Sequence, residues 1–425
     1  MHVKILILGG GITGLSTAYH LEQQGQKDYW VLEKENEPGG LCRSIRKNGF
    51  TFDYSGHLLH LHTPQGKKLV RTLLAGNLRR QTRRAWIYTE NSRVPFPFQA
   101  NLFALPPAIR QKCLDGLLQA KKKKLTSAPK NFEEWCLQSF GKGIYQTFLK
   151  PYNTKLWGCP PRRLTTEWCG PFIPLPSAKE ICQSAVKKPN KKFGYNAHFY
   201  YPQTGGCGAL TAALADSVSH LKTRCPVTQI DLSNKTVRAG GKVFSFDFLI
   251  NTLPLPNFLR LLRGQPALRA QADKLAAQSV TVYQVAFQGT PKPFSWIYCP
   301  DKQDPFYRVG MQSSFSPQNA PEGCYSLYIE LPGEIRPGVL QERKIEKALL
   351  KKAIIGKQDK KIFSFWTKLP QAYVLYDKRR SGTVTQVIKN LKTYHCFCAG
   401  RYGLWEYSFI EQSLLQGKEI AQKLV

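Results

Sequence analysis

Acidic residues are scarce. Across 425 residues, 28 Asp and Glu stand against 61 Lys and Arg, which leaves a formal charge of +33 with histidine counted neutral. Such an imbalance points to anionic partners or substrates and leaves open whether they are nucleic acid, membrane lipid or a phosphorylated small molecule. Long apolar runs are lacking too, with nothing approaching the ~18 consecutive apolar residues that span a bilayer. Val3 to Leu8 is no secretory leader, because it is short, contains Lys4 and ends in three glycines. The twelve cysteines include no C-x-x-C pair and no metal-ligand spacing, and most sit beside apolar residues, as Cys42 after Leu41 and Cys182 after Ile181. Reduced, buried thiols in a cytoplasmic protein are expected, with peripheral contact at the inner face of a membrane compatible with the charge. Internal repeats and low-complexity linkers are absent. What is present is core material: 42% apolar and 12% aromatic residues exclude general disorder, and the length predicts two or three lobes.

The N-terminus is the most informative segment. Val3-Lys4-Ile5-Leu6-Ile7-Leu8 reads as a buried parallel strand, and Gly9-Gly10-Gly11-Ile12-Thr13-Gly14 follows at once with G-x-G-x-x-G spacing. Leu15 to Leu21 continues with helical spacing, Gly25 ends the helix, and Tyr29-Trp30-Val31-Leu32 is a second strand closed by Glu33. A dinucleotide needs this order. Gly9 and Gly11 permit the tight turn and the close approach of a pyrophosphate, Gly14 lets helix and strand pack, and Glu33 can take ribose hydroxyls.

Pro38-Gly39-Gly40-Leu41-Cys42-Arg43-Ser44 then resembles the second fingerprint of the flavin amine-oxidase superfamily, and Phe50-Thr51-Phe52-Asp53-Tyr54-Ser55-Gly56-His57 its FD-x-G-x-H segment. The resemblance implies FAD, with Gly39, Gly40 and Arg43 on the flavin side. It narrows to the branch holding protoporphyrinogen oxidase-like proteins and UDP-galactopyranose mutase. Phe148-Leu149-Lys150-Pro151-Tyr152-Asn153-Thr154-Lys155-Leu156-Trp157, Phe306-Tyr307-Arg308 and Gly400-Arg401-Tyr402-Gly403-Leu404-Trp405-Glu406-Tyr407 look like mutase blocks, in order along the chain. The implied fold class is α/β: a glutathione-reductase-type Rossmann-like FAD domain from residues 1–65, 200–277 and 394–425, a mainly helical insertion at 66–199 and an antiparallel-sheet substrate domain at 278–393. Local pattern agrees, with a helix expected from about Gly208 to Leu221, a strand at Phe248–Leu253 and one charged helix from about Gln341 to Ile355.

By the same resemblance, Arg308 grips an anionic substrate group, His57 lies beside the isoalloxazine ring as the catalytic candidate, Gly400 and Arg401 contact FAD, and Tyr307, Tyr373 and Tyr402 line the substrate cleft. The spacing of His57, His60 and His62 does not build a zinc site, so no metal is expected. Two departures stand out. Phe172 occupies the place of the mutase's second diphosphate-gripping Arg, and Ile410-Glu411-Gln412-Ser413 replaces its terminal Asn-Gln-Asp-His run. Loss of one charge-assisted phosphate contact costs ~1.5–3 kcal/mol. Two reactions are therefore expected to compete. One is an FAD-dependent oxidoreduction with hydride transfer to flavin N5. The other is a non-redox isomerisation of a nucleotide sugar by reduced FAD, with NAD(P)H as a candidate reductant. An anionic small-molecule or lipid-linked substrate suits both. The basic runs, Lys121 to Lys124, Arg79-Arg80 with Arg83-Arg84, Lys187-Lys188 with Lys191-Lys192, and Lys360-Lys361 with Arg379-Arg380, are scattered and read as solvated surface rather than a nucleic-acid motif.

Overall fold

A computed structural model describes residues 1–123, 127–190, 193–194 and 196–424. Lys124, Lys191 and Lys192, named above in the basic runs, lie outside the described residues. Among the described residues two seven-stranded sheets carry a mixed α/β fold. In the first, His2–Leu8 lies between Tyr29–Leu32 and the strand Lys242–Asn251, parallel to both. Ile5 to Leu8 are fully buried, as expected of a strand covered on both faces. Lys242–Asn251 serves two neighbours at its far edge: its first half pairs antiparallel with Thr236–Ala239, and its last residues pair in parallel with Cys396–Cys398. The final helix, Ile410–Leu424, packs on helix Ile12–Gln23 through Gly417, where a Cβ would meet Ser16 and the backbone of Thr13 and Thr17.

The second sheet runs in the order Lys360–Val374, Ala277–Gln288, Cys324–Pro332, Arg308–Met311, Trp296–Tyr298, Ala85–Thr89, Ser92–Pro95. The segment expected to be mainly helical thus also supplies two strands, and the seam where they join, between Trp296–Tyr298 and Ala85–Thr89, is parallel rather than antiparallel. A third strand of that segment, Arg79–Thr82, pairs antiparallel with His198–Tyr201, and most of the remainder is helical. Helices Pro107–Lys122 and Phe132–Ile144 cross at three glycines: a Cβ on Gly116 would meet the Gly143 amide, and one on Gly143 the Lys112 carbonyl. Gly141, at φ +77°, breaks the second helix just before the crossing.

Three local expectations change. The helix starting at Gly208 ends at Asp216, and Leu221–Lys222 is instead an edge strand of the first sheet. Asp216 and Ser217 account for the stop, since Ser and Asp side chains compete for backbone groups and favour helix ends; Ser217 Oγ donates to Ala213 O. Arg380–Lys392, placed by the sequence in a sheet region, is a helix. The basic runs are not uniformly solvated. Arg380 is buried, donates to Trp405 O at 2.7 Å and lies over the Tyr376 ring, and Lys361 pairs with Glu342 and Glu346. All twelve cysteines are unpaired thiols, nine of them buried. Among the described residues no helix is long and apolar enough to cross a membrane.

The glycine crossing generates a test. Gly143→Ala should lower the stability measured by urea unfolding by about 1–3 kcal/mol through overpacking. Gly382→Ala, whose Cβ would meet nothing within 4 Å on an exposed helical face, should be neutral or stabilising by up to ~1 kcal/mol.

Candidate active site

The predicted nucleotide residues converge at the ends of the first sheet. Gly11 caps helix Ile12–Gln23 with no side-chain cap and no acid in the first turn, so the helix amides are available to an anion. A Cβ at Gly11 would meet nothing within 4 Å, whereas one at Gly14 would strike the Gly9 carbonyl. The first glycine therefore borders open space, and the second seals the packing of helix on strand. The Gly39–Gly40 turn sits directly against this loop. Gly39 N donates to Gly10 O at 2.7 Å, Gly11 and Gly39 form a bridge, and both Gly39 and Gly40 have positive φ. Gly400, at φ +78°, closes the third side against Thr13. Glu33 already accepts the Gly10 and Glu35 amides at 2.8 and 2.9 Å, which fixes its carboxylate at the strand end and leaves lone pairs for ribose hydroxyls. Arg43 donates to Gly40 O and lies over the Tyr54 ring. The bare helix end, the open side of Gly11 and the two glycine turns fit the diphosphate of a dinucleotide.

The segment Asp53 to His57 leads from this loop to the second sheet. Asp53 is fully buried and accepts four hydrogen bonds, from Ser44 Oγ (2.6 Å), Tyr201 OH (2.7 Å), Cys207 N (2.9 Å) and Gln312 Nε2 (3.1 Å). Burial raises its carboxyl above the ordinary range, against the pull of those donors. Its carbonyl accepts Gln284 Nε2 at 2.6 Å. Two residues on, Ser55 Oγ donates to Glu330.

Glu330 is the residue that sequence reasoning missed. Buried to 1% exposure on strand Cys324–Pro332, it takes Arg308 Nε at 2.8 Å and Nη2 at 2.5 Å in a bidentate pair. Burial works against the Arg308 charge, and Glu330 more than restores it. Arg308 Nη2 also reaches Tyr373 OH at 3.4 Å. No hydrogen bond occupies Arg308 Nη1 among the described residues, and 19% of the side chain stays exposed. Period-2 alternation places Glu330 opposite Arg308 across adjacent strands, a register that only the fold supplies.

His57, Arg401, Tyr373 and Tyr402 gather around this pair. Burial first, then the Arg401 guanidinium, push His57 down to about 4, and Glu330 and Arg308 also act on it. Its Nδ1 has no hydrogen-bond partner. Arg401 donates to Ala372 O at 2.7 Å, lies 4.6 Å from the Tyr407 ring centroid and 5.8 Å from those of Tyr373 and Tyr402, and keeps a buried Nε without a partner. Tyr402 OH is likewise unpartnered. Tyr307 is fully buried, with its ring 6.3 Å from that of Tyr152, and lies within electrostatic reach of Glu330, Tyr373 and Arg308. Among the described residues no metal-binding group of His, Cys, Asp or Glu occurs.

The two departures acquire structural roles. Phe172 packs on Tyr407 at 4.3 Å and Phe409 at 4.8 Å between ring centroids, so aromatic surface stands where a guanidinium was expected. Glu411 is buried and accepts His62 N, Thr63 N and Thr63 Oγ1, each at 2.8 Å, tying the histidine loop to the last helix. Lys155 does not face the cluster's acid. Its ammonium donates to three carbonyls, Cys299, Asp301 and Phe306, and clamps the loop leading into Arg308.

Residues 12–327 match the family model of flavin containing amine oxidoreductase. The whole chain superimposes on reduced UDP-galactopyranose mutase with a TM-score of 0.94 and 30% identity, covering 100% of this chain and 94% of that one. A protein of Exiguobacterium sp. 255-15 assigned as a protoporphyrinogen oxidase shares the fold at a TM-score of 0.75 and 16% identity, over 99% of this chain and 98% of that one. Coproporphyrinogen III oxidase of Staphylococcus aureus is 31% identical over 118 residues, 26% of this chain, and the chain spans only 24% of that relative.

Two partly buried histidines make a pH signature. His57 at about 4 and His60 at about 3 refuse protons in the folded state that the unfolded chain accepts below its ordinary 6.5. Stability should therefore fall as pH drops from about 6.5 toward 4. Urea midpoints measured across that range should fall less steeply in His57→Gln and in His60→Gln. Slopes equal to wild type would contradict neutral, partly buried imidazoles.

Proposed function

This chain belongs to the family of flavin containing amine oxidoreductases, and we propose that it is an FAD enzyme that isomerises an anionic, nucleotide-sugar-type substrate with no net electron transfer. The observation that carries the reading is the charge of the cluster around His57. Arg308 and Arg401 are cationic, Glu330 is spoken for by Arg308 and Ser55, and His57 is neutral at physiological pH. The excess is one positive charge in a poorly solvated space, which attracts an anion and repels a protonated amine. The full-length likeness to a UDP-galactopyranose mutase supports the same substrate class.

FAD is the cofactor, and when bound it supplies the ring nitrogen that either attacks a sugar carbon in its reduced form or accepts hydride in its oxidised form. Gly9, Gly11 and Gly14, the Gly39–Gly40 turn and Glu33 would hold its nucleotide half, with Arg43, Gly400 and Arg401 toward the flavin. Arg308 presents Nη1 to a substrate phosphate, while Glu330 fixes the plane of its guanidinium. Tyr373 and Tyr407, tilted at 5.9 Å between ring centroids, and Trp157, 5.6 Å from Tyr373, exclude water around that contact. His57 Nδ1 can hold a proton at the flavin-facing edge.

One observation favours a second reading, hydride transfer from an anionic substrate to flavin N5. Phe172 removes a second phosphate contact and offers an aromatic surface instead, which suits a substrate with one charged end and one apolar body. The two readings separate in one experiment. The purified protein is scanned for the flavin spectrum, reduced with dithionite or NADPH, and given UDP-galactopyranose. Interconversion of the sugar ring only after reduction, without reoxidation, is expected. Bleaching of the oxidised flavin by an organic substrate, with acceptor consumed, would overturn the isomerase in favour of the oxidoreductase. In the same assay Arg308→Gln should lower kcat/KM by about tenfold or more.

A further inference from the structure

A second charged hollow lies outside the flavin cluster. The strand Arg79–Thr82, the turn at 291–295 and the wall at 313–324 enclose a cleft of about 840 Å³. Arg79, Arg80, Arg84 and Lys292 line it, and Glu322 is its one acid. None of these four cations is ion-paired or hydrogen-bonded through its side chain among the described residues. Hydroxyl groups add donors. Ser295 Oγ and Ser313 Oγ accept the backbone amides of Arg84 and Ser326 and donate to nothing described, so both keep an O–H for a ligand. Phe199, Pro291 and Pro293 supply apolar wall. A smaller hollow of about 370 Å³ meets the cleft at Gly323 and brings Lys360.

We propose that this cleft is a binding site for a small phosphate ester carrying at least two negative charges. Four unpaired cations around one space repel each other, and a polyanion relieves that repulsion while a monocarboxylate would leave most of it. Guanidinium forks match phosphate oxygens in pairs. The concavity selects the source. A volume within the ~300–1,000 Å³ of small-molecule pockets suits a soluble ester, whereas a bilayer is flat and would reach only the rim. The apolar wall suits the ring or sugar of such an ester. None of Arg308, His57, Arg401 or Tyr373 lines the cleft, so this site is separate from the flavin cluster and does not rest on the isomerase reading.

The test is calorimetric titration of the flavin-loaded protein with ADP and with inorganic pyrophosphate at low ionic strength, alongside sedimentation with phosphatidylglycerol vesicles. Saturable binding of either probe is expected, weakened by salt. The exposed pair Arg79→Gln with Arg80→Gln should weaken it about tenfold or more, with unchanged flavin absorbance and melting temperature as the check on folding. Arg308→Lys should leave unchanged the component of binding that the Arg79/Arg80 variant loses. The proposal is overturned by no saturable binding. It is overturned equally if binding is lost in Arg308→Lys and kept in the Arg79/Arg80 variant, or if vesicles, and neither soluble probe, engage the protein through these arginines.

Discussion

The buried carboxylate of Asp53 is the constraint on which the site rests. A charge with no solvent must be fully hydrogen-bonded or it is strongly destabilising. The four donors that satisfy it come from four separate parts of the chain: the Ser44 strand, the Tyr201 strand, the amide at the start of helix Gly208–Asp216, and Gln312 in the turn that follows strand Arg308–Met311 of the second sheet. With Gln284 on its carbonyl, Asp53 ties the nucleotide-binding half to the substrate half at a single residue. Each donor would have to find another partner if the carboxylate were removed, so the cost of losing it is spread over both halves.

From that anchor the next four residues inherit their positions. Ser55 meets Glu330, Glu330 orients Arg308, and His57 is held where desolvation first, then Arg401 and Arg308, keep it neutral. Loop clamps on either side reinforce the arrangement: Glu411 on Thr63 and Lys155 on the carbonyls ahead of Arg308. These are polar groups buried in the service of geometry.

The nucleotide half was readable from the sequence because its signals are local. The strand, the spaced glycines, the helix and Glu33 fall within 33 residues, and each residue type has one dominant physical reason to be there. The Gly39–Gly40 turn and Gly400 carried the same kind of information. The substrate half was not readable in this way. Glu330 meets Arg308 through the register of two strands, and Gln312 reaches Asp53 from 259 residues away. No periodicity marks either residue. The charge count misled in detail for a related reason: Arg380 is buried and donates to Trp405 O, and Lys361 pairs with Glu342 and Glu346, whereas a run of basic residues read without its fold is assigned to solvent.

The central claim is that the cluster beside His57 is built for an anion held by Arg308. It is tested most directly by titrating UDP into the flavin-loaded protein and following the perturbation of the visible flavin spectrum. A saturable change in wild type, with the dissociation constant raised about tenfold or more in Arg308→Gln, is the predicted result. A spectrum that ignores UDP, or a perturbation of equal affinity in the variant, would contradict it.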